Sequence, residues 1–131
     1  MLIRFENETE RVAWEGLMAA MQLSHQTATD RGWYNDPKTK EPINRNFGEV
    51  VALMHTELSE ALEAHRKNLR DVHLPDRNGV EVEFADCIIR ILDTAAALGL
   101  DVPGALIEKN RFNKIRPDHD LGSRAAGGKK Y

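Results

Sequence analysis

Two short acidic motifs could do chemistry, because each places two carboxylates on one face of a helix. Glu57 and Glu60 are three residues apart, and so are Glu83 and Asp86. Residues three apart on a helix face the same way, with Cβ atoms about 5–6 Å apart. Two facing pairs would repel, and some groups would stay protonated unless a cation lay between them. Ligation by oxygen alone suits Mg²⁺ or Mn²⁺.

The position of Glu57 favours a special role for these carboxylates. At about 100° per residue, Glu57 falls on the apolar arc with Val50 and Leu53, and Glu60 falls at its edge. Glu63 falls on the solvated face. A lone E-x-x-E pair is more often a solvated surface, and the second motif could be a wet stripe with an internal ion pair. The conjunction of both motifs with the misplaced Glu57 favours a metal site.

Four helices and no convincing strand are predicted to position the two motifs. Asn46 is expected to cap the second helix, with Glu49 completing a capping box. Gly99 is the expected stop of the third helix, and Pro117 ends the fourth. A short loop of helix breakers makes the second and third helices antiparallel neighbours, so that the motifs face each other. The predicted helices span about 7–30, 47 to between 67 and 70, 80–98 and 101–116.

The third helix is apolar around most of its circumference, which indicates burial on several sides. Three neighbouring helices hardly supply that cover, so a partner subunit is expected to pack on it. The fold class is therefore predicted as all-α: a four-helix bundle completed by homo-oligomerisation. Residues 1–117 are expected to form one helical domain and residues 118–131 a flexible C-terminal tail.

Composition excludes several classes of protein. The chain has 131 residues, 41% of them hydrophobic and 30% charged, as expected for one globular domain. A net charge of −3 gives no general attraction to polymeric nucleic acid. The single cysteine, Cys87, is interpreted as a small buried hydrophobe and suggests a reducing compartment. No apolar run predicts a membrane span or a signal peptide, so a cytoplasmic location is expected.

The motifs and their context resemble the MazG-like all-α nucleoside triphosphate pyrophosphatases. That family's signature is E-x-x-E, a spacer, and E-x-x-D, here with 22 intervening residues. The run "KNRFNKIRP" resembles the fourth helix of the short single-domain members similar to dCTP pyrophosphatase, and it supplies Lys109, Asn113 and Arg116 as matching positions. The similarity covers roughly residues 20–117, whereas the first helix and the loop before the second helix match less clearly.

The resemblance implies an enzyme that hydrolyses a nucleoside triphosphate to the monophosphate and pyrophosphate. It also implies a homodimer or homotetramer with sites near subunit contacts. One of the two glutamates of the first motif would also orient or deprotonate the attacking water. The cationic stripe on the fourth helix would bind phosphate oxygens as charge develops on the leaving group, and the alternative is a solvated basic helix end. The residues so implied as metal ligands are Glu57, Glu60, Glu83 and Asp86, and those implied for phosphate are Lys109, Asn113 and Arg116.

Four further residues are candidates for roles beside the acidic motifs or in the core. Trp33 and Tyr34 could stack on a nucleobase or anchor the loop against the helices. His25 continues the apolar stripe of the first helix and is interpreted as a core histidine. Asp93 is expected to pair with Arg90, although it could also be a further metal ligand.

Three alternative functions are considered. A dimeric helical module could bind a basic partner through its acidic stripe without catalysis. A phosphoribosyl-ATP pyrophosphatase of the same superfamily would share the carboxylate motif. A ferritin-like di-iron site is less favoured, because neither His55 nor His65 follows a glutamate at the required spacing.

Overall fold

The computed structural model describes residues 3–131, and over that range the chain is all-helical without a β-strand. The first two residues of the predicted domain lie outside the described residues. The four predicted helices are confirmed, with ends within a few residues of the expected ones. The helical elements are α1 Glu8–Asp30, α2 Phe47–Lys67, α3 Gly79–Leu98, α4 Val102–Ile115, a 3₁₀ turn Pro117–His119 and α5 Leu121–Ala125.

The predicted cap at Asn46 and the predicted stop at Gly99 are confirmed. The side chain of Asn46 accepts a hydrogen bond from the amide of Glu49 at the start of α2. Gly99 ends α3 with φ +66°, a left-handed conformation that glycine adopts without steric cost. Asp101 caps α4, where its side chain accepts from the amide of Gly104. These local contacts satisfy backbone groups that have no partner within the helix.

The chain divides into two compact units. Residues 19–100 form the central unit, and residues 3–18 with 101–131 form the terminal unit. The terminal unit includes the segment expected to be a flexible tail, which contains the 3₁₀ turn and α5. Helical structure therefore continues beyond Arg116, and the flexibility of the tail stays a prediction.

In the central unit, α2 and α3 pack against each other along their length. The pairing is antiparallel, because Ala64 lies beside Gly79 at one end and the Cys87 thiol lies 3.6 Å from the Met54 carbonyl oxygen further along. Cys87 is buried, as expected for a small apolar residue. The buried residues of the two helices are Val50, Glu57, Ala61, Ala64, Gly79, Cys87, Leu92, Asp93 and Ala95.

The end of α2 and the start of α3 approach closely at Gly79, which has no side chain. A Cβ atom there would lie 3.0 Å from the Ala64 Cβ and 3.0 Å from the Leu69 carbonyl oxygen, which is tighter than most Cβ contacts in proteins. The Gly79 amide donates to that same Leu69 oxygen at 3.0 Å. This close approach brings the first turn of α3 against Ala64 in the last turn of α2.

Much of the apolar surface of α2 and α3 is uncovered in the single chain. The side chains concerned belong to the motif-bearing helices and are between 37% and 62% exposed. None of the helices in residues 3–131 combines the length and the hydropathy needed to cross a bilayer. The exposed apolar residues of these two helices are Phe47, Leu53, Leu58, Leu62, Phe84, Ile88, Ile89, Ile91 and Leu98.

Candidate functional site

Three of the four predicted carboxylates form a cluster where α2 and α3 pack together. One oxygen each from Glu57, Glu60 and Glu83 lies within 4.8 Å of the others. Glu57 is buried, Glu83 is partly buried and Glu60 is exposed. The helical-wheel prediction for Glu57 is therefore confirmed, and the cluster has one side open to solvent.

Asp86 does not belong to the three-carboxylate cluster, although the sequence placed it there. Its side chain is one methylene shorter than that of Glu83 on the same helix, so its oxygens reach less far. Asp86 is nevertheless close enough to Glu57 for that charge to affect its pKa. It lines the cavity described below together with Glu57.

The electrostatics of the cluster are those of crowded like charges. Burial, then the negative charges of Glu60, Glu57 and Asp86, raises the pKa of Glu83 to about 7. Burial and the charge of Glu57 also raise the pKa of Asp86, against the opposing effect of Arg90. A cation at the cluster would relieve this repulsion.

Arg90 compensates part of this negative charge. Its Nε donates to Oε1 of Glu57 at 2.5 Å, which joins α3 to α2. The predicted pair between Arg90 and Asp93 is therefore wrong. Both residues lie on α3, but Asp93 is bound by side chains from outside that helix, so Arg90 is left to pair across the helix interface.

The donor set of the cluster fits a hard divalent cation. All three groups are carboxylates, and metal–oxygen distances of about 2.0–2.1 Å for Mg²⁺ place neighbouring ligand oxygens about 3–4 Å apart. The 4.8 Å spread of Glu57, Glu60 and Glu83 is close to that range, and Glu60 is an exposed side chain that can move. The residues present therefore fit Mg²⁺ or Mn²⁺.

A cavity of about 530 Å³ adjoins the carboxylates. Its lining includes Glu57, Asp86 and Arg90 from α2 and α3, and Trp33 and Arg45 from the loop between α1 and α2. Small polar and apolar side chains complete the lining: Ser24, Thr27, Ala28, Val50, Leu53, Ile89, Asp93 and Thr94. The cavity thus combines acidic, cationic and aromatic groups within the central unit.

The loop between α1 and α2, residues 31–46, supplies Trp33 and Arg45. It folds back on itself, since the Ile43 amide donates to the Tyr34 carbonyl and the Asp36 amide to the Glu41 carbonyl. Trp33 is 65% exposed. Its ring is therefore accessible at the cavity wall rather than packed back as a buried anchor.

The carboxylate of Asp93 is buried and contacts three polar side chains of the central unit. It accepts hydrogen bonds from the hydroxyl of Tyr34 at 2.7 Å and from Nδ1 of His25 at 2.8 Å. Arg45 lies 3.8 Å from its second oxygen. Burial and the bond to Asp93 raise the pKa of Tyr34 to about 12. His25 is thus a partly exposed member of a polar network, and Tyr34 is the loop anchor.

The residues predicted to bind phosphate lie in the terminal unit. Lys109 is exposed, with Nζ 4.7 Å from the centre of the Phe112 ring. Arg116 holds Asp118 with two hydrogen bonds of 2.6 and 2.8 Å. Oδ1 of Asn113 is buried without a hydrogen-bond partner among the described residues. Lys109 and Arg116 therefore lie beside the same aromatic ring, and Arg116 is paired with a carboxylate.

The sequence did not predict that Arg45 lies beside Asp93, and it predicted the wrong partner for Arg90. Arg45 stood in a polar loop with no periodicity, where nothing indicates a partner. One signal was present: Asp93 lies on a helix that is apolar around most of its circumference, and a buried carboxylate requires donors from elsewhere in the fold.

A scan against protein-family models, and searches of curated proteins and of solved structures, found no match to this chain.

Proposed function

We propose that this protein is a metal-dependent nucleoside triphosphate pyrophosphohydrolase, which cleaves between the α- and β-phosphates to release the monophosphate and pyrophosphate. The observation that carries the proposal is the cluster of Glu57, Glu60 and Glu83 beside a cavity that exposes Trp33. The sequence resemblance to the MazG-like family supports the same activity.

The cavity suits a nucleotide in size and in chemistry. Small-molecule sites span about 300–1,000 Å³, and this one measures about 530 Å³. A nucleotide has a planar base and an anionic polyphosphate. Trp33 offers a flat aromatic surface for stacking on the base, whereas Arg45 and Arg90 offer guanidinium groups that bind phosphate oxygens in pairs.

The cation would be held by Glu57, Glu60 and Glu83, with Asp86 as a further ligand from the same cavity wall. Mg²⁺ or Mn²⁺ supplies charge neutralisation on the phosphates and lowers the pKa of a bound water. The buried Glu57, fixed by Arg90, provides an oriented ligand. The exposed Glu60 can reach a water molecule, and one of these two glutamates would orient it for attack.

Lys109, Asn113 and Arg116 are proposed as further phosphate ligands. Lys109 is available for this role because it is exposed. Arg116 would exchange the two oxygens of Asp118 for two phosphate oxygens, which have the same geometry and charge sign.

A second copy of the chain is the proposed partner, in a homodimer or a homotetramer. The exposed apolar side chains of α2 and α3 support this, since a subunit interface would remove them from water. Closed symmetry makes two or four copies the usual outcome.

The decisive experiment supplies eight substrates, the four common NTPs and the four dNTPs, with Mg²⁺ and separates the products. Release of pyrophosphate together with a monophosphate supports the proposal, whereas release of orthophosphate contradicts cleavage at this bond. Phosphoribosyl-ATP belongs in the same panel, because preferential turnover of it would indicate the related pyrophosphatase. Absence of any turnover, together with Mg²⁺-independent melting, would favour a non-enzymatic helical module.

A further inference from the structure

Asp93 is a carboxylate on α3 that residues outside α3 surround. Its side chain is only 8% exposed. One oxygen accepts from the Tyr34 hydroxyl and from His25 Nδ1, and the other faces Arg45 at 3.8 Å. A buried charge is tolerated only when it is paired and hydrogen-bonded. These donors are therefore tied to Asp93 as long as the unit is folded.

Two of these donors stand near the two ends of loop 31–46. Tyr34 follows the end of α1 and Arg45 precedes α2. The guanidinium carbon of Arg45 also lies 5.8 Å from the centre of the Tyr34 ring, a cation–π distance. A backbone bond of 3.0 Å from the Ile43 amide to the Tyr34 carbonyl closes the loop between them. A single carboxylate thus holds both ends of the loop.

The same loop forms the aromatic and cationic part of the cavity wall. Trp33 precedes Tyr34 directly, and both Trp33 and Arg45 line the cavity, together with Glu57 and Asp86 of the acidic motifs. A shift of the loop base would therefore move the proposed base-stacking and phosphate-binding groups, while the cluster of Glu57, Glu60 and Glu83 on α2 and α3 would stay in place.

We infer that Asp93 is a positioning residue for nucleotide binding: it holds loop 31–46 so that Trp33 and Arg45 line the cavity beside the carboxylates. The inference rests on the proposed function for the identity of the bound molecule. Asp93 itself needs no contact with the metal or with the phosphates. Its loss should weaken nucleotide binding more than it slows the chemical step.

Two substitutions test this inference. Tyr34→Phe deletes one hydroxyl and keeps the ring, and Asp93→Asn removes the charge that attracts Arg45 while keeping an acceptor. The matched controls are Tyr131→Phe, at the other tyrosine of the chain, which is 93% exposed, and Asp76→Asn in the exposed part of the α2–α3 loop.

The first measurement is amide hydrogen exchange of residues 31–46, with the loop 68–78 as internal reference. Loss of the charged hydrogen bond should speed exchange of loop 31–46 by about tenfold in both variants and leave the reference loop unchanged. The second is steady-state turnover of whichever nucleotide the wild type hydrolyses fastest. KM should rise about tenfold while kcat changes less than about twofold.

Loop exchange and KM that equal those of the controls would overturn the role of Asp93. The same holds for a lowered melting temperature without either change, since that indicates structural support only. If Asp93→Asn fails to fold, Tyr34→Phe decides the matter. A wild type that hydrolyses no nucleotide refutes the proposed function instead, whereas an active wild type with unaffected variants refutes only the role of Asp93.

Discussion

The Nε atom of Arg90 lies 2.5 Å from Oε1 of Glu57, so a guanidinium on α3 compensates a buried carboxylate on α2. The Glu57 side chain is 8% exposed and that of Arg90 is 37% exposed. The pair therefore spans the boundary between the helix interface and the cavity. The charge of the acidic cluster is therefore partly neutralised only when α2 and α3 are packed together.

Replacing Arg90 with methionine should destabilise the metal-free protein by about 1–3 kcal/mol, because a buried carboxylate loses its partner. The loss of stability should be smaller than for a fully buried ion pair, since Arg90 is partly exposed to solvent. Added Mg²⁺ should restore part of the lost Tm, because the proposed cation compensates the same carboxylate. Thermal melting with and without Mg²⁺ measures both effects.

Lys67→Met is the matched control on α2. It breaks the exposed ion pair with Glu63, for which a change below about 1 kcal/mol is expected. Equal Tm losses in the two variants would show that the ion pair of the buried Glu57 stabilises the protein no more than an exposed ion pair does.

Activity should disappear in EDTA and return with Mg²⁺ or Mn²⁺, because the candidate ligands are all carboxylates. Glu60→Gln and Asp86→Asn should each lower kcat/KM by about 10²-fold or more while the fold is kept, since each removes a negative charge and keeps the shape. Steady-state kinetics and circular dichroism give the two readouts.

Glu63→Gln serves as the control for these substitutions, because Glu63 lies on the solvated face and pairs with Lys67 and Arg66. Full turnover in metal-free buffer would contradict the metal requirement. Comparable losses of kcat/KM in Glu63→Gln and Glu60→Gln would contradict a specific role for the carboxylate cluster, because Glu63 lies outside it.

The metal-free protein should become more stable as the pH falls from about 8 to about 5, as far as Glu83 contributes. Its pKa is raised to about 7 in the folded state, from an ordinary 4.5. The folded state therefore binds the proton more tightly than the unfolded chain does, and stability is lost as the pH rises through 7. Glu83→Gln should flatten this part of the pH profile and raise stability at pH 8, as measured by urea unfolding across pH.

An opposite acid dependence is expected in the terminal unit. Arg111 holds Glu10 through hydrogen bonds of 2.9 and 2.5 Å and lowers the pKa of Glu10 to about 2. This pair contributes stability above pH 4.5 that is lost as the pH falls towards 2. Arg111→Met should therefore be less stable near neutrality and should lose less of its remaining stability on acidification. Acid titration followed by circular dichroism tests this; parallel acid profiles of variant and wild type would contradict it.

Ile88→Glu should dissociate the proposed oligomer, because a charge at a subunit contact would be buried without a partner. Ile88 is 53% exposed in the single chain, so the substitution leaves the isolated fold largely undisturbed. Sedimentation equilibrium should give at least twice the monomer mass for the wild type and a smaller mass for the variant. A stable wild-type monomer at micromolar concentration would refute the interface.

The helices could be predicted because their signals are local. Asn46, Gly99 and Pro117 mark helix ends through their own backbone chemistry, and each acts within a few residues of its position. The burial of Glu57 could also be predicted, since helical periodicity alone fixes which face a residue occupies.

The partners of Arg90 and Asp93 could not be predicted in the same way. Periodicity places both residues on one polar stripe of α3 but carries no information on what packs opposite. Asp93 meets Tyr34, 59 residues earlier in the chain, and Arg90 meets Glu57, 33 residues earlier. Such pairs depend on how helices and loops assemble, which the spacing within one helix does not encode.

The contact between Ala64 and Gly79 has a consequence for evolution. Because a Cβ at position 79 would lie 3.0 Å from the Ala64 Cβ, a larger side chain at either site would require the two helices to shift apart locally. Homologues with the same spacing between the acidic motifs should therefore keep a small residue at both positions. Those with a bulkier residue at either one should show a compensating change in the length of the connecting loop. Sequence variation at positions 64 and 79, which take no part in the chemistry, would then indicate how the carboxylates are spaced.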